Sequence, residues 1–538
     1  MGEARHFLIV LPTSLIANWE NELKKWVPAI NIFKFTTDSG PAKRKRNLQL
    51  GQRSTAVLLT TYGLVTTNSD TLCLDARGAR FSWDYVILDE AHNIKNMSAK
   101  RTKEAHKLNS RRRLILTGTP IMNQLDDFYS LVEFFSFGYG LLADNMAQFR
   151  QQYKGPIERA RTKNSTPSEI RFGNSQAEKL SARTKKFILR RTKEGLNAAK
   201  VECNEQPAFP KLGLKHDFIL WCKMTPKQLK IYDEFLASDE VRHALMTKAS
   251  PLVQCTVLKK LCDHPRRLSV TQCEYLGLET GLNKSAMADR NMCVASDYIK
   301  HVNLATLIEE SGKLRALSSL VEIIDGKFLL FSSSVKLLDM IEKLLLDKGL
   351  RLLRMDGRDK PSRRQELVDE FQNSSSINAM LLTTGVGSVG LTLTAATRVI
   401  IFDPAWNPGS DDQAVDRAYR IGQAKPVVVF RLITCDTIEE KIYRRQIFKK
   451  SIIAQNNGEN TDPFRHFSGD DIRQLFGKPS HPMQSETQMQ LAALASRRET
   501  YEQLEVLLNN LDKMNELHAG IHDHNMVFDP SKFSTLIL

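Results

Sequence analysis

The sequence predicts an α/β fold with two doubly wound parallel sheets, the first of them incomplete, and with helical insertions. Apolar runs of strand length alternate with helical patterns over the first 120 residues, and the same alternation returns between Lys327 and Leu432. Continuous apolar runs separated by helices are typical of parallel strands that are buried on both faces. Between the two series, residues 125–300 are mostly charged and helical in pattern, which indicates two separate sheets.

The predicted strands of the first series are FLIVLP, which begins at Phe7, and then NIFKF, AVLLTTY, DYVILDE and RRLILTG. The segment after the first strand has one apolar helical face, made of Leu15, Ile16, Trp19, Leu23 and Trp26. The second series reads KFLLFS, LRLLRM, AMLLTT, RVIIFD and VVVFRLI. Each series therefore supplies the strands of one sheet.

We expect four segments along the chain. The first domain is expected over residues 1–200, with a helical protrusion from about residue 125. Residues 201–300 are expected to form a helical linker or protrusion, and residues 301–460 the second domain. Residues 461–538 are expected to form a C-terminal brace with an amphipathic helix, whose apolar stripe is Leu491, Leu494, Tyr501, Leu504, Leu508 and Leu511.

Composition narrows the class of protein. The 538 residues carry a net charge of +15, which favours a polyanionic partner such as nucleic acid, with a solvated basic surface as the alternative. No run of 18 apolar residues exists, so we expect no membrane-spanning segment. The eight cysteines form no CxxC pair, which favours reduced thiols and argues against a zinc site. Cys262-Asp263-His264 is better explained as a packed helix end than as a set of metal ligands.

Two adjacent acidic residues end one predicted strand of the first sheet. Asp89 and Glu90 close the run DYVILDE, at the carboxyl edge where open α/β sheets bind their ligands. A nucleoside triphosphatase needs one carboxylate to hold Mg²⁺ through its water shell and another to orient or deprotonate the attacking water. Asp89 fits the first role and Glu90 the second. The block LTGTP after the next strand could bond to this site, or it could be a simple strand-to-helix turn.

The second series carries a glycine-rich segment and two arginines. Gly385, Gly387 and Gly390 permit close approach of the backbone to a phosphate group. Arg417 and Arg420 follow at helical spacing and are expected to share a helix face. Such arginines can neutralise charge that develops on a γ-phosphate, and surface ion pairing with nearby aspartates is the alternative.

The order of these motifs resembles the Snf2 family of superfamily-2 helicase-like ATPases. The resemblance covers nearly the whole chain and lies in LPTSLIANWENE, LLTTYGLV, LDEAH, LTGTP, FILRRTKEGL, LKKLCDHPRRL, ESGK, FLLFSSS, RMDG and QAVDRAYRIGQ. It implies two RecA-like lobes, ATP and Mg²⁺ as cofactors, and movement along double-stranded DNA as ATP is converted to ADP and phosphate.

The resemblance also assigns residues. Asp89 would bind Mg²⁺ through water and Glu90 would activate water, while His92 and the block Thr117, Gly118, Thr119 and Pro120 would couple hydrolysis to DNA. Arg417 and Arg420 would be arginine fingers, and Gln413 and Gly387 would also face the nucleotide. The residues expected to follow one DNA strand through its phosphates are Pro12, Thr13, Thr60, Thr61, Tyr62, Ser332, Ser333, Thr383 and Thr384.

Several other stretches are similar to one branch of the family. They are the segment from Leu214 to Leu268 and the runs TAATRVIIFDPAWNP, EEKIYRRQIFKKS, DPFRHFSGDDIRQLF and GIHDHNMVFDP. That branch implies work on chromosomal DNA under tension during mitotic segregation, with chromatin and centromere proteins as partners. It also implies location in the nucleus and on chromosomes, at centromeres or kinetochores in mitosis, with a cytoplasmic pool in interphase.

One family motif is not found. No GxxxxGK[ST] phosphate loop occurs, and the run from Ser311 to Leu314 lacks both the upstream glycine and a hydroxyl after its lysine. We therefore expect a gap in the first sheet where the strand of that loop belongs. Our hypothesis is that the sequence is a truncated form or fragment of an active motor. The rival hypothesis is a catalytically inactive, DNA-binding form.

Overall fold

The computed structural model divides into two compact units, one over Met1–Leu189 and the other over Arg190–Gln455 and Glu459–Leu538. Among the described residues, no helix is both long enough and apolar enough to cross a bilayer. The structure describes residues 4–118, 125–160, 165–189, 213–246, 251–268, 301–387, 390–456, 473–477, 484–491 and 501–524.

The first unit contains a five-stranded parallel sheet. Its strands are β1 (His6–Leu11), β2 (Asn31–Phe35), β3 (Ala56–Thr61), β4 (Trp83–Leu88) and β5 (Ser110–Ile115). Their order across the sheet is β2-β3-β1-β4-β5, and each neighbouring pair is parallel. All five apolar runs of the first series are therefore strands, as predicted.

Helices connect these strands and continue beyond them. They are α1 (Ile16–Trp26), α2 (Pro41–Arg53), α3 (Tyr62–Leu72), α4 (Lys100–Lys107), α5 (Leu125–Phe135), α6 (Met146–Phe149), α7 (Gly155–Arg159) and α8 (Pro167–Thr184). The core contains alternate residues of the central strands, such as Leu8, Val10, Val86 and Leu88, together with Leu131 and Phe134 of α5.

Each described strand of the first sheet is hydrogen-bonded to the next one across the sheet. No gap separates two of these strands, although a gap was expected. The sheet instead ends at β5, and Leu114 on that strand is 47% exposed. Leu116, just after the strand, is also exposed. These two exposed leucines therefore lie at an outer edge of the sheet and not in a gap between two strands.

The second unit contains a larger, seven-stranded sheet. Its strands are β6 (Lys215–Cys222), β7 (Phe328–Ser332), β8 (Leu352–Met355), β9 (Ala379–Thr383), β10 (Arg398–Ile401), β11 (Val427–Thr434) and β12 (His518–Asp523). The order is β12-β6-β11-β10-β7-β9-β8, and only β12 runs antiparallel to its neighbour. The predicted fold class, two parallel-dominated α/β sheets with helical insertions, is confirmed.

Helices surround this second sheet. They are α9 (Pro226–Leu236), α10 (Asp239–Met246), α11 (Leu252–Asp263), α12 (Leu304–Glu309), α13 (Gly312–Ile323), α14 (Val335–Asp347), α15 (Pro361–Asn373), α16 (Thr384–Gly387), α17 (Pro408–Val415), α18 (Ile438–Asn456), α19 (Glu486–Leu491) and α20 (Glu502–Asp512). Two hydrophobic clusters, one containing Leu330 and Ile400 and the other Leu329 and Val399, are formed by alternate residues of the same strands. This is the pattern of a sheet that is buried on both faces.

Strand β6 was not predicted, because residues 201–300 were expected to be a helical linker. It is paired with β11 along its whole length, from Lys215 opposite Val427 to Cys222 opposite Thr434. A short, fully buried apolar run has no periodicity that distinguishes a strand from a helix segment, which explains the wrong prediction.

The segment 461–538 also contributes to the second sheet, through β12. The predicted amphipathic helix is present as α20, which buries Leu504, Leu508 and Leu511 in the core beside α13. Leu491, the other end of the expected stripe, is the last residue of α19, and Leu494 lies outside the described residues.

Candidate functional site

Asp89 and Glu90 lie directly after β4, at the carboxyl end of the strand between β1 and the edge strand β5. The Asp89 amide donates a 2.9 Å hydrogen bond to Val10 O, so the pairing of β4 with β1 continues to this residue. Both acidic side chains are half-buried. The structure therefore places the predicted carboxylates at the edge where ligands of parallel α/β sheets bind.

Three donors from different elements hold Asp89. Trp19 Nε1 donates to Oδ2 at 2.7 Å, and the Glu90 amide donates to Oδ1 at 2.9 Å. The Tyr62 hydroxyl donates to the Asp89 carbonyl at 2.7 Å. Burial raises the pKa of Asp89, and the two hydrogen bonds to its carboxylate oppose that rise. The roles of Trp19 and Tyr62 were missed, because their partner is distant in sequence.

Glu90 adopts a left-handed backbone conformation, with φ 49° and ψ 51°. A residue other than glycine in this region costs about 1 kcal/mol, and such conformations are concentrated at functional sites. The following amide, of Ala91, donates a 3.0 Å hydrogen bond to Leu116 O on the neighbouring segment. A 3₁₀ turn over Ala91–Ile94 then leads away from the strand.

The Glu90 side chain carries a polar atom that is buried and unsatisfied. Its Oε2 lies 3.2 Å from His92 Nδ1. Neither of these two atoms makes a hydrogen bond within the part of the chain that the structure describes. Buried polar atoms of folded proteins are nearly always hydrogen-bonded, so the Glu90 carboxylate can still accept a hydrogen bond from a ligand or a water molecule.

The predicted coupling block begins beside the same carboxylates. Leu116 N donates to Leu88 O at 2.8 Å, and Leu116 O accepts the hydrogen bond from Ala91 N. Thr117 and Gly118 follow directly, and a Cβ added to Gly118 would meet nothing within 4 Å. Thr119 and Pro120 lie outside the described residues.

The predicted DNA contacts of the first unit fall into two groups. Thr13 is exposed and Pro12 is half-buried. Thr60 is 0% exposed and donates its hydroxyl to Phe35 O at 3.0 Å, so its prediction as a phosphate contact is corrected. Thr61 accepts from Leu64 N at the start of α3, and the buried Tyr62 is bound to Asp89.

The predicted DNA contacts of the second unit are brought together by β7 and β9, where Ser332 pairs with Thr383. Ser332 and Thr383 are both buried, whereas Thr384 is half-buried at the start of α16. The Ser333 amide and hydroxyl both contact the Asp403 carboxylate. Gly387, the predicted nucleotide contact, is the last residue of α16.

Arg417 and Arg420 converge on one backbone atom. Each places its Nη1 3.4 Å from Leu391 O, and Arg417 Nε also donates to Gln413 O at 3.0 Å. The two arginines were expected on one helix face, but α17 ends at Val415 and they lie in the turns that follow. Gln413 Nε2 is buried and has no hydrogen-bond partner among the described residues.

A buried ionic cluster in the second unit was not predicted. Lys313 is 0% exposed, and its Nζ donates to Asp263 Oδ1 at 2.9 Å, to Glu439 Oε1 at 2.7 Å and to Phe402 O at 2.9 Å. His264 Nδ1 accepts from Arg266 N at 3.1 Å. The motifs ESGK and CDHP therefore hold segments of the unit together. No cluster of three or more potential metal ligands is found among the described residues.

These features define an α/β ATPase core with two parallel-sheet units and paired carboxylates at a strand end. The model of the SNF2-related domain matches residues 1–267, and the model of the helicase conserved C-terminal domain matches residues 312–422. Together the two models cover most of the chain. The protein therefore belongs to the Snf2 family, whose members are DNA-dependent ATPases and helicase-like translocases.

Similar proteins come from animals and plants. The DNA excision repair protein ERCC-6-like of Danio rerio is 42% identical over 548 residues, which cover 98% of this chain and 37% of that protein. The human protein of the same name is 42% identical over 545 residues, covering 97% and 43%. Protein CHROMATIN REMODELING 24 of Arabidopsis thaliana is 36% identical over 549 residues, covering 97% and 48%. The chain thus spans less than half of the length of each of these relatives.

Proposed function

We propose that this chain is the motor part of an ATP-dependent translocase that moves along double-stranded DNA. The observation that carries the proposal is the carboxylate pair after β4. Asp89 is held by donors on both oxygens, whereas Glu90 Oε2 is buried beside it with no hydrogen-bond partner in the described part of the chain. One fixed carboxylate and one unsatisfied carboxylate match the two roles that hydrolysis of a nucleoside triphosphate needs.

The carboxylates fit Mg²⁺, and ATP is proposed from family membership. Mg²⁺ takes oxygen ligands and keeps several water molecules, so a single carboxylate that acts through water is sufficient. Asp89 would hold the ion in this way, and Mg²⁺, when bound with ATP, would neutralise charge on the phosphate oxygens. Glu90 Oε2 would accept a proton from the attacking water.

Double-stranded DNA is the proposed track. The net charge of +15 favours a polyanion, and family membership indicates DNA. Among the predicted contacts, Thr13 and Thr384 are accessible enough to meet phosphate oxygens. Contacts of this kind position a protein without reading bases, so we expect binding that is independent of sequence and weakens steeply as salt rises.

Arg417 and Arg420 are proposed as the arginine fingers. Their convergence on Leu391 O supports a joint role, since one carbonyl orients both guanidinium groups. Their expected action on the nucleotide bound by the first unit stays a prediction.

The decisive experiment measures ATP turnover by the purified chain with and without duplex DNA. Turnover that DNA stimulates, and that falls by about 10²-fold or more in Glu90→Gln, is expected. Glu90→Gln keeps the volume of the side chain and removes its ability to accept a proton. Equal turnover in both proteins would reject the ATPase proposal. DNA binding without turnover in either would favour the inactive, DNA-binding form.

The cellular role is proposed from the names of relatives. Those names refer to DNA excision repair and chromatin remodelling, so we propose chromosomal DNA in the nucleus as the site of action. The expected role in mitotic segregation, with chromatin and centromere protein partners, location at centromeres or kinetochores and an interphase cytoplasmic pool, stays a prediction. Imaging of the tagged full-length protein through the cell cycle tests it, and absence from mitotic chromosomes would contradict it.

A further inference from the structure

The carbonyl of the strained residue Glu90 is held by the side chain of Asn93, while the Glu90 amide donates to Asp89 Oδ1. Asn93 donates twice to Glu90 O, from its backbone N at 3.1 Å and from its Nδ2 at 2.9 Å. The carbonyl of a left-handed residue is thereby fixed by two donors in the 3₁₀ turn. If the side-chain donor were lost, Glu90 O would keep only the hydrogen bond from the backbone N of Asn93.

Asn93 is in turn oriented by Arg101, whose Nη1 donates to Asn93 Oδ1 at 2.9 Å. The two side-chain contacts require the same orientation of the amide, because Nδ2 donates to one partner while Oδ1 accepts from the other. A continuous path of hydrogen bonds therefore leads from a guanidinium group to the backbone of Glu90.

Arg101 lies on an exposed basic surface. We call this the α4 basic surface, and it consists of Lys100, Arg101, Lys103 and Lys107. The first turn of α4 contains no acidic residue, although cations there are disfavoured by the helix dipole. Glu104, on the same helix, is engaged by Ser69 and Lys107. An anion bound here would relieve the repulsion among these cations.

The charge of Arg101 also acts on a residue that binds the carboxylate segment. The positive charge of Arg101 opposes the rise in the pKa of Tyr62 that burial and the two acidic residues cause. Tyr62 is the residue whose hydroxyl donates to Asp89 O. The guanidinium group of Arg101 therefore influences Tyr62 through its charge and Asn93 through a hydrogen bond.

We propose that Arg101 and Asn93 are positioning residues that transmit the binding of a duplex-DNA phosphate on the α4 basic surface to the backbone of Glu90. The inference rests on the proposed function, because it assumes that the polyanion is DNA. A guanidinium group presents five donors, so one edge can hold Asn93 while another binds a phosphate oxygen. A phosphate bound to the second edge would restrain Arg101 against Asn93 and so strengthen the support of Glu90, and turnover would then respond to DNA.

Hydrogen–deuterium exchange of the full chain tests this directly and does not require turnover. Saturating duplex DNA should slow exchange of the amides of residues 90–94 by about tenfold, because their turn becomes fixed. Arg101→Gln and Asn93→Ala should lose this effect while still binding the duplex. Lys103→Gln, which removes a cation from the same surface, should keep the effect and lower affinity only modestly.

Asn93→Asp sharpens the test. It keeps an acceptor for Arg101 but replaces the donor to Glu90 O with an oxygen, so the path is broken at one known atom. We expect it to behave like Asn93→Ala, with an unfolding midpoint close to that of the native chain. Equal protection of residues 90–94 in native and Arg101→Gln proteins would overturn the proposal. If the native chain bound no duplex, the proposed function would fail as well, whereas binding without slower exchange removes only this coupling.

Discussion

Trp19 and Asp89 are 70 positions apart in the sequence, yet Trp19 Nε1 donates a 2.7 Å hydrogen bond to Asp89 Oδ2. The donor stabilises the charged carboxylate, whereas burial destabilises it. The indole of α1 therefore helps to keep Asp89 ionised, and ionised is the state in which it can act on a hydrated Mg²⁺.

Trp19→Phe should raise the pKa of Asp89, because it removes a donor to the charged form. A hydrogen bond to a charged group is worth about 1.5–3 kcal/mol, so the acidic limb of ATP turnover should move upward by about one to two pH units. The measurement is a pH profile of DNA-stimulated turnover. Trp26→Phe is the matched control, since the exposed Trp26 is on the same helix and donates to Glu22. If the acidic limb of the pH profile is the same in Trp19→Phe and the native chain, a group other than Asp89 is responsible for that limb.

Replacement of the two arginines should have different effects. Arg417 is 8% exposed and contacts two backbone carbonyls, so Arg417→Ala should lower the stability of the second unit as well as turnover. Arg420 is half-buried, and Arg420→Ala should lower turnover by about 10³-fold or more while leaving DNA binding and stability in place. Steady-state ATPase assays and denaturant unfolding separate the two cases. Full turnover in Arg420→Ala would exclude a role as an arginine finger.

Lys313→Met should strongly destabilise the second unit. The substitution removes the only charge that directly bridges Asp263 and Glu439 among the described contacts. It leaves Asp263 paired only with Arg267, and it leaves the buried Glu439 without a cationic partner among these contacts. Breaking a buried ion pair in this way costs about 3–5 kcal/mol. Denaturant unfolding, followed by the fluorescence of the buried Trp221, measures the loss. Arg315→Met, at an exposed position of the same helix, should change the free energy of unfolding by less than about 0.5 kcal/mol.

The second unit should lose stability at mildly acidic pH through His264. Burial lowers the pKa of His264 to about 4, whereas the ordinary value is 6.5. The neutral ring, which accepts from Arg266 N, is favoured by folding, so its contribution is complete above pH 6.5 and is lost as the pH falls toward 4. The loss is about 3 kcal/mol.

His264→Gln should therefore make the free energy of unfolding less dependent on pH between 6.5 and 4, even though the variant is less stable at pH 7. Unfolding curves over this pH range provide the measurement, and His243→Gln, at an exposed position, is the control. Identical slopes in His264→Gln and the native chain would show that another group is responsible.

The local sequence pattern was sufficient to predict much of the fold and the position of the two adjacent carboxylates. The run DYVILDE predicts both a buried strand and carboxylates at its end, and the structure has both. Contacts between distant segments were not predictable, because nothing beside Trp19 indicates Asp89, and Lys313 and Glu439 are 126 positions apart. Thr60 shows the opposite case. Its hydroxyl was predicted to contact DNA from the motif, but it donates a hydrogen bond to Phe35 O inside the sheet.

Strand β6 has a practical consequence for anyone who wishes to produce the second unit by itself. A recombinant fragment that starts at residue 301 would follow the helicase C-terminal match but would omit the neighbour of β11. The eight residues from Val427 to Thr434 would then lose their hydrogen-bonded neighbour and form an exposed, mostly apolar edge of the sheet. An unpaired strand of this kind can pair with other chains, so such a fragment should aggregate. A fragment that begins before Lys215 should stay in solution.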